Sequence, residues 1–347
     1  LTAKRDKAAP VSVFCLVFIC RIALALVNVQ GSSLKNIAGD NIISLVLSLG
    51  LTLAAALPAV MCCRKNKNPL DIKPLGYLYR AYFVFITALN TARFSYFASS
   101  VINPETNAWL FALLLSVCAF YCAVLGIEAI SRTGAFVFVL MIIAVLIIIV
   151  FNSSEFDEVN LYPVLVNTNS DIFKNTLLFT ANTSEIAVFL CLCRKVNGDS
   201  VKSFIQGLLA SFTVMLVLIY FLLGSLGASA SMYSYPFYTM FQISKLSNAG
   251  RPDVLHISFW IMAAFMKNTV TMYCALNSGE VKSKKPVGII TGALVLLGAV
   301  ICCSGARITA LFPKLIIIPF VLFCFVLPLL TLIFAKRGPS DEVIARF

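Results

Sequence analysis

Charge is what this sequence has least of. Asp, Glu, Lys and Arg make up 12% of its 347 residues, against roughly a quarter in an ordinary soluble domain. Hydrophobic residues make up 60%, and the mean hydropathy is +0.94. No long polar stretch interrupts the apolar runs between Val11 and Phe334. These absences exclude an ordinary soluble domain and leave a single transmembrane domain over residues 1–347.

Histidine occurs once, at His256. There are twelve Cys, but no CxxC is matched by a second CxxC or a pair of His. No zinc site is therefore expected, and the chain is read as having no metal and no cofactor. Cys15, Cys20, Cys118, Cys122, Cys274 and Cys324 fall inside apolar runs, where a thiol behaves as a small hydrophobe. Cys191-x-Cys193 and the pairs Cys62-Cys63 and Cys302-Cys303 fall near predicted helix ends. Also missing are a Walker-type phosphate loop, an HExxH helix and a GxSxG elbow. No nucleophile stands beside a base, so the chain is not read as an enzyme. The net charge of +12 would raise nucleic acid in a soluble protein. In a membrane chain short basic loops are orientation signals, and no nucleic-acid partner is expected.

A spanning helix needs about 20 mostly apolar residues. Ten segments qualify, over 10–30, 41–62, 80–101, 109–127, 133–152, 175–193, 204–227, 254–277, 286–303 and 314–335. The first has a basic start but no convincing small-residue cleavage site, so it is read as a span and not as a signal peptide. Of 27 Lys and Arg, eighteen fall in the two termini and the loops on their side, and six in the opposite loops. That asymmetry predicts an even helix count with both termini cytoplasmic.

Two connections are long. Residues 153–174 carry Glu155, Asp157, Glu158 and Asp171 and the run Asn160-Leu-Tyr-Pro-Val-Leu165; residues 228–253 carry Ser234-Tyr-Pro-Phe-Tyr238. Such loops are lids, binding loops or solvated connectors with interfacial Tyr anchors. The first divides the chain into two five-helix halves, 10–152 and 175–335. Halves with an odd number of helices enter the membrane from opposite sides, which is the arithmetic of an inverted repeat.

Four ionisable side chains lie near the middle of spans: Arg21 in helix 1, Arg93 in helix 3, Glu185 in helix 6 and Lys267 in helix 8. Each is too far from its helix ends to reach the headgroups. Buried charge in a membrane faces a partner or a cavity and marks function by default. If all four ionise the sum is +2, which suits an anion or a carboxylate-bearing zwitterion. A structural alternative pairs Arg93 with Glu185 as a packing device and leaves Lys267 neutral or against backbone carbonyls. In helix 6 the run Thr180-Ala-Asn-Thr-Ser-Glu185 competes for backbone hydrogen bonds. It predicts a break facing a cavity, where irregular backbone is tolerated. Helix 1 has a weaker counterpart in Arg21, Asn28 and Gln30-Gly-Ser-Ser33. Polar interruptions in the first helix of each half point to a midplane site. The candidate ligand-binding residues are Arg21, Asn28, Arg93, Thr180, Asn182, Thr183, Ser184, Glu185 and Lys267.

The run Leu125-Gly-Ile-Glu-Ala-Ile-Ser-Arg132, then an apolar helix and Asn160-Leu-Tyr-Pro-Val-Leu165, resembles the spore germination permease family. These are the B subunits of nutrient germinant receptors, within the amino acid–polyamine–organocation superfamily. Asp40-Asn-Ile-Ile-Ser44, Tyr235-Pro-Phe-Tyr238 and Arg251-Pro-Asp-Val-Leu-His-Ile-Ser-Phe-Trp260 through Lys267 resemble it as well, so the likeness covers roughly 10–335. It implies an all-α membrane fold of ten helices in a five-plus-five inverted repeat, with helices 1 and 6 broken and substrate held among helices 1, 3, 6 and 8. The family's acidic residue in helix 6 matches Glu185. Two features depart from the pattern. The Gly-rich middle of helix 1 is replaced by Cys20-Arg-Ile-Ala-Leu-Ala-Leu26, and the Gly before the helix 6 acid by Ser184.

The resemblance implies a germinant receptor B-like subunit that recognises a small nutrient, such as an amino acid, at the membrane midplane. Its partners would be the lipid bilayer and the receptor's A and C subunits, in the inner membrane of a spore-forming bacterium. Two rivals need the same polar centre: an independent proton- or sodium-coupled amino acid transporter, and a water or ion channel subunit.

Overall fold

The computed structural model describes residues 8–28, 38–166, 168–196, 198–243, 252–279, 284–303 and 315–335. Helices account for nearly all of them, and no strand is found among the described residues beyond one isolated bridge between Ala8 and Val196. The helices are α1 (Pro10–Asn28), α2 (Ala38–Arg64), α3 (Lys73–Phe97), α4 (Ala108–Leu125), α5 (Ile127–Asn152), α6 (Asn169–Ala181), α7 (Glu185–Leu192), α8 (Ser200–Leu226), α9 (Pro236–Ile243), α10 (Pro252–Asn277), α11 (Lys284–Cys303) and α12 (Leu315–Phe334).

By length and apolarity, seven helical segments among the described residues can cross a membrane. Outside that set fall α1, α3 and α10, the helices that carry Arg21, Arg93 and Lys267. Burial sorts the rest. In the apolar windows of α4, α5, α11 and α12 only 22–33% of residues are buried, whereas the stretch Asn169–Lys195, which contains α6 and α7, is 78% buried. Leu and Ile side chains on the first group therefore face lipid, and α6–α7 lies inside the bundle. The polar residues follow the same division, because an unpaired polar group facing lipid costs free energy that a partner inside the bundle removes.

Helix α1 runs through the centre, packed against α5, α8 and α10. Phe14 and Phe18 meet the ring of Phe138 edge-on at 5.4 and 4.9 Å. One expectation is corrected here. Helix 1 is continuous from Pro10 to Asn28, with no interruption at Arg21. The run Cys20–Leu26 contains neither Gly nor Pro, and its Ala, Leu and Arg are good helix formers. The segment 29–37, including Gln30-Gly-Ser-Ser33, lies outside the described residues.

The fifth span also starts earlier than its hydropathy suggests. A single residue, Gly126, joins α4 to α5, at φ 94° and ψ 177°, a conformation that favours glycine. One helix ends there and the next follows at once, so α5 begins at Ile127, not near residue 133.

The long connection after α5 is folded down onto the bundle. Asn160 Nδ2 donates to the Gly224 carbonyl at 2.7 Å, the Asp157 amide donates to the same oxygen at 3.1 Å, and the Leu165 amide donates to the Asp40 carboxylate. Phe156 packs on Tyr220 and Phe221 of α8, with ring centroids 4.9 and 5.4 Å apart. After α8, the turn Gly227–Met232 leads into α9, and Tyr235 just before it and Tyr238 within it meet the Phe97 ring at 4.8 and 6.1 Å. At the opposite end Asn68 Nδ2 donates to Leu190 O at 2.6 Å, Lys67 Nζ to Leu332 O at 3.0 Å, and Arg194 pairs with Asp71. Burial pushes the Asp71 carboxyl up, and Arg194 beside it offsets only part of that rise.

Candidate functional site

The break in the sixth span lies where its side chains predict it. Helix α6 ends at Ala181, three residues follow outside any helix, and α7 starts at Glu185. Local hydroxyls and amides take over the backbone acceptors on the way in. Thr180 Oγ1 donates to Thr176 O at 2.8 Å and Asn182 Nδ2 to Leu178 O at 3.0 Å, while the Thr183 amide turns back to Thr180 O at 2.9 Å.

Three elements converge on this break. From α1, Arg21 Nη1 donates to Thr183 Oγ1, and its guanidinium carbon lies 3.7 Å from the centre of the Phe212 ring on α8. From α10, Lys267 Nζ donates to Glu185 Oε1 at 3.0 Å and to the Cys20 carbonyl of α1 at 3.1 Å. Cys20 and Arg21 are adjacent, and Thr183 and Glu185 flank Ser184. The contacts therefore close into a ring through α1, the α6–α7 break and α10. Glu185 is fully buried, and Arg21 and Lys267 are 2% and 3% exposed. Each charge sits in a medium where an unpaired ion would cost several kcal/mol, on the order of 3–5 once a partner is removed.

The ring leaves polar atoms over. Glu185 Oε2, Ser184 Oγ, Asn182 Oδ1, and Nε and Nη2 of Arg21 have no hydrogen-bond partner among the described residues. The same is true of both side-chain heteroatoms of Asn268, next to Lys267 and 1% exposed. Buried polar atoms are nearly always partnered, so a cluster of orphans at one place has the chemistry of a site that accepts a polar guest or ordered water. Arg21 bonds the residue before Ser184, and Lys267 pairs with the carboxylate of the residue after it.

The other predicted residues fall differently. Arg93 is buried on α3 but stands outside the ring, and the carboxylate of Glu185 pairs with Lys267, not with Arg93. Helices α3 and α10 run antiparallel. Arg80 Nε donates to Ala275 O at 3.1 Å, Thr87 Oγ1 to Thr271 Oγ1 at 2.8 Å, and the Phe97 and Trp260 rings meet at 3.8 Å. Arg93 lies between the last two contacts, about 9 Å along α3 from Thr87 at roughly 1.5 Å per residue. Thr180 is buried one turn before the break. The side chain of Asn28 lies outside the described residues.

A family model described as a spore germination protein, of the spore permease family, matches residues 8–304. The chain belongs to that family. No curated protein matches it at a significant level. Among solved structures, this spore permease is similar to a substrate-bound, outward-open Na⁺-coupled sialic acid symporter, with 13% identity, a TM-score of 0.61 and coverage of 99% of this chain and 84% of that one. It is also similar to a nucleobase-cation-symport-1 family transporter in a closed conformation with bromovinylhydantoin bound, with 12% identity, a TM-score of 0.62 and coverage of 98% and 86%. At such identities the likeness is one of fold: the spore permease is an integral membrane protein built like these transporters. Its family and these relatives are permeases and transporters, not enzymes.

Two participants in the polar centre, and one contact between α3 and α10 near it, carried little signal in the sequence. Phe212 is one of 28 Phe, and its cation–π contact with Arg21 depends on the α1–α8 packing. The Cys20 carbonyl is backbone and carries no residue-type signature. Thr87 and Thr271 are ordinary hydroxyls in spans until α3 and α10 bring them together. Asn268 could have been found, as an amide beside an intramembrane lysine.

Proposed function

We propose that this spore permease is a germinant receptor B-like subunit that recognises a small nutrient at the α6–α7 break and signals through a shift between conformers. The observation that carries this reading is the set of orphaned buried atoms around Ser184, which include Nε and Nη2 of the Arg21 guanidinium and the second carboxylate oxygen of Glu185. A zwitterion of amino-acid size matches that polarity: its carboxylate meets Arg21 and its ammonium meets Glu185 Oε2. A bidentate guanidinium–carboxylate contact is among the stronger hydrogen-bonded pairs available. The ligand biases the equilibrium by binding one conformer better than the other.

In this reading residues 1–347 form one membrane domain with five-helix halves at 10–152 and 175–335. Both termini are cytoplasmic, the membrane is the inner membrane of a spore-forming bacterium, and receptor A and C subunits complete the complex. Arg93 and Asn28 stay candidate ligand-contacting residues.

The fold likeness to symporters favours a second reading, an independent secondary transporter. Lys267 bears on it. Its ammonium is a tethered cation held by a carbonyl and a carboxylate, oxygen donors of the kind a hard metal cation uses. A transporter built this way would not need sodium at this place.

The test is a thermal-shift screen of the purified chain against amino acids, nucleosides and sugars, because a ligand of the folded state raises its stability. An amino acid that raises the midpoint in the wild type, and not in Glu185→Gln, supports the site. No shift with any amino acid, alongside a shift with a neutral sugar, would overturn the zwitterion assignment. Uptake of the ligand into liposomes by the chain alone would favour the transporter over the receptor subunit.

A further inference from the structure

The sequence sets Cys62-Cys63 at the end of one helix and Cys191-x-Cys193 at the end of another, 130 positions apart (about a third of the chain). The fold brings one member of each pair together. Cys63 lies in the last turn of α2 and Cys193 just past α7. Both line a small cavity of about 80 Å³ with Asn66, Asn68 and Arg194, and both are partly exposed. Their neighbours are not equivalent to them. Cys62 lines the same cavity but is buried, with its thiol directed to the Pro328 carbonyl at 3.2 Å, and Cys191 is buried and does not line it.

The surroundings suit a reactive pair. Cys63 Sγ lies 3.8 Å from Ser200 Oγ, at the first residue of α8, where the helix N-terminus favours negative charge. Asn68 Nδ2 lies 3.5 Å from Cys193 Sγ. Arg194 adds positive charge, and Asp199, the N-cap of α8, opposes it.

We propose that Cys63 and Cys193 are a reversible dithiol–disulfide pair that clamps the end of α7 to the end of α2. A peroxide is the oxidant. The Cys63 thiolate attacks a peroxide oxygen, the S–O bond forms, the O–O bond breaks and hydroxide leaves to become water. The Cys193 thiolate then attacks the sulfenic sulfur, the S–S bond forms, the S–O bond breaks, and the oxygen departs as a second water. Two thiols lose two electrons and two protons, and hydrogen peroxide becomes two waters. A dithiol reductant reverses the bond by exchange. Because α7 begins at Glu185 and ends one residue before Cys193, the bond ties one end of the helix that carries the buried carboxylate. The chemistry is independent of what the polar centre binds.

The experiment treats the purified full chain with hydrogen peroxide, blocks remaining thiols with a maleimide, and maps peptides by mass spectrometry without reduction. A cross-linked peptide joining Cys63 to Cys193, reversed by dithiothreitol and kept in Cys62→Ser, is the expected result. Cys63→Ser and Cys193→Ser each abolish it. The oxidised wild type melts several degrees above the reduced form, and the Ser variants do not. Both thiols remaining maleimide-labelled while the exposed Cys118 is oxidised would overturn the pair, as would a Cys62–Cys63 link. Equal melting of oxidised and reduced wild type would overturn the clamp. The wild-type peptide map decides the pairing even if a variant fails to fold.

Discussion

The ammonium of Lys267 lies 3.0 Å from the carboxylate of Glu185, with both side chains withdrawn from solvent, and the same ammonium reaches the Cys20 carbonyl at 3.1 Å. One ion pair thus ties α10 to the start of α7 and to α1. Neither residue can be changed without leaving its partner as a buried charge or a changed acceptor.

Removing one partner should therefore be worse than removing both. Glu185→Gln and Lys267→Met are each expected to lower stability by about 3–5 kcal/mol where the other group stays charged. The double variant should recover part of that loss. Thermal unfolding in one detergent, read as a double-mutant cycle, measures the coupling. Additive losses would mean the pair does not act as a unit. A double variant that keeps the wild-type ligand response would remove the pair from the ligand site.

Thr183→Val keeps the shape of the break and deletes the acceptor of Arg21. The cost of leaving a buried donor without its acceptor is about 1–3 kcal/mol, or more for a charged group. Arg21 still reaches the ring of Phe212, so a folded protein with a lower melting midpoint is expected. A midpoint equal to wild type would show that Thr183 is not needed to hold the guanidinium.

Gly224 accepts both the Asp157 amide and the Asn160 side chain, and its Cα faces the ring of Phe156 closely enough that a methyl group would overlap it. Gly224→Ala should unseat the connection 153–166 at a cost of about 1–3 kcal/mol. Faster proteolysis of that segment in the variant is the readout. Phe156→Ala in the same background should restore wild-type protease resistance in part, by removing the clash.

Topology is tested by labelling. On a Cys-less background, a single cysteine at Ser340 should react from the cytoplasmic side, and one at the exposed Ser153 from the other. The reverse pattern would contradict the orientation drawn from the basic loops, and labelling of both positions from one side would contradict the inverted arrangement of the two halves.

Composition by itself determined that this chain lives in a membrane. With 12% charged residues and 60% hydrophobic ones no soluble core is an option, and the periodic apolar runs mark most of the helices. It also determined the break before Glu185, because Asn182, Thr183 and Ser184 in succession weaken a helix wherever they are placed. The weaker interruption expected in helix 1 misled, because Arg21 and its Ala and Leu neighbours are good helix formers and α1 runs on to Asn28. Only the tertiary structure decided who meets whom. Four midplane charges admit several pairings, and hydropathy has no memory of azimuth. Lys267 pairs with Glu185 and Arg93 does not, because α10 packs against both α1 and α7 while Arg93 stands farther along α3. The meeting of Cys63 with Cys193 is of the same kind. It depends on where two helices end in space, and no local interaction along the chain encodes that.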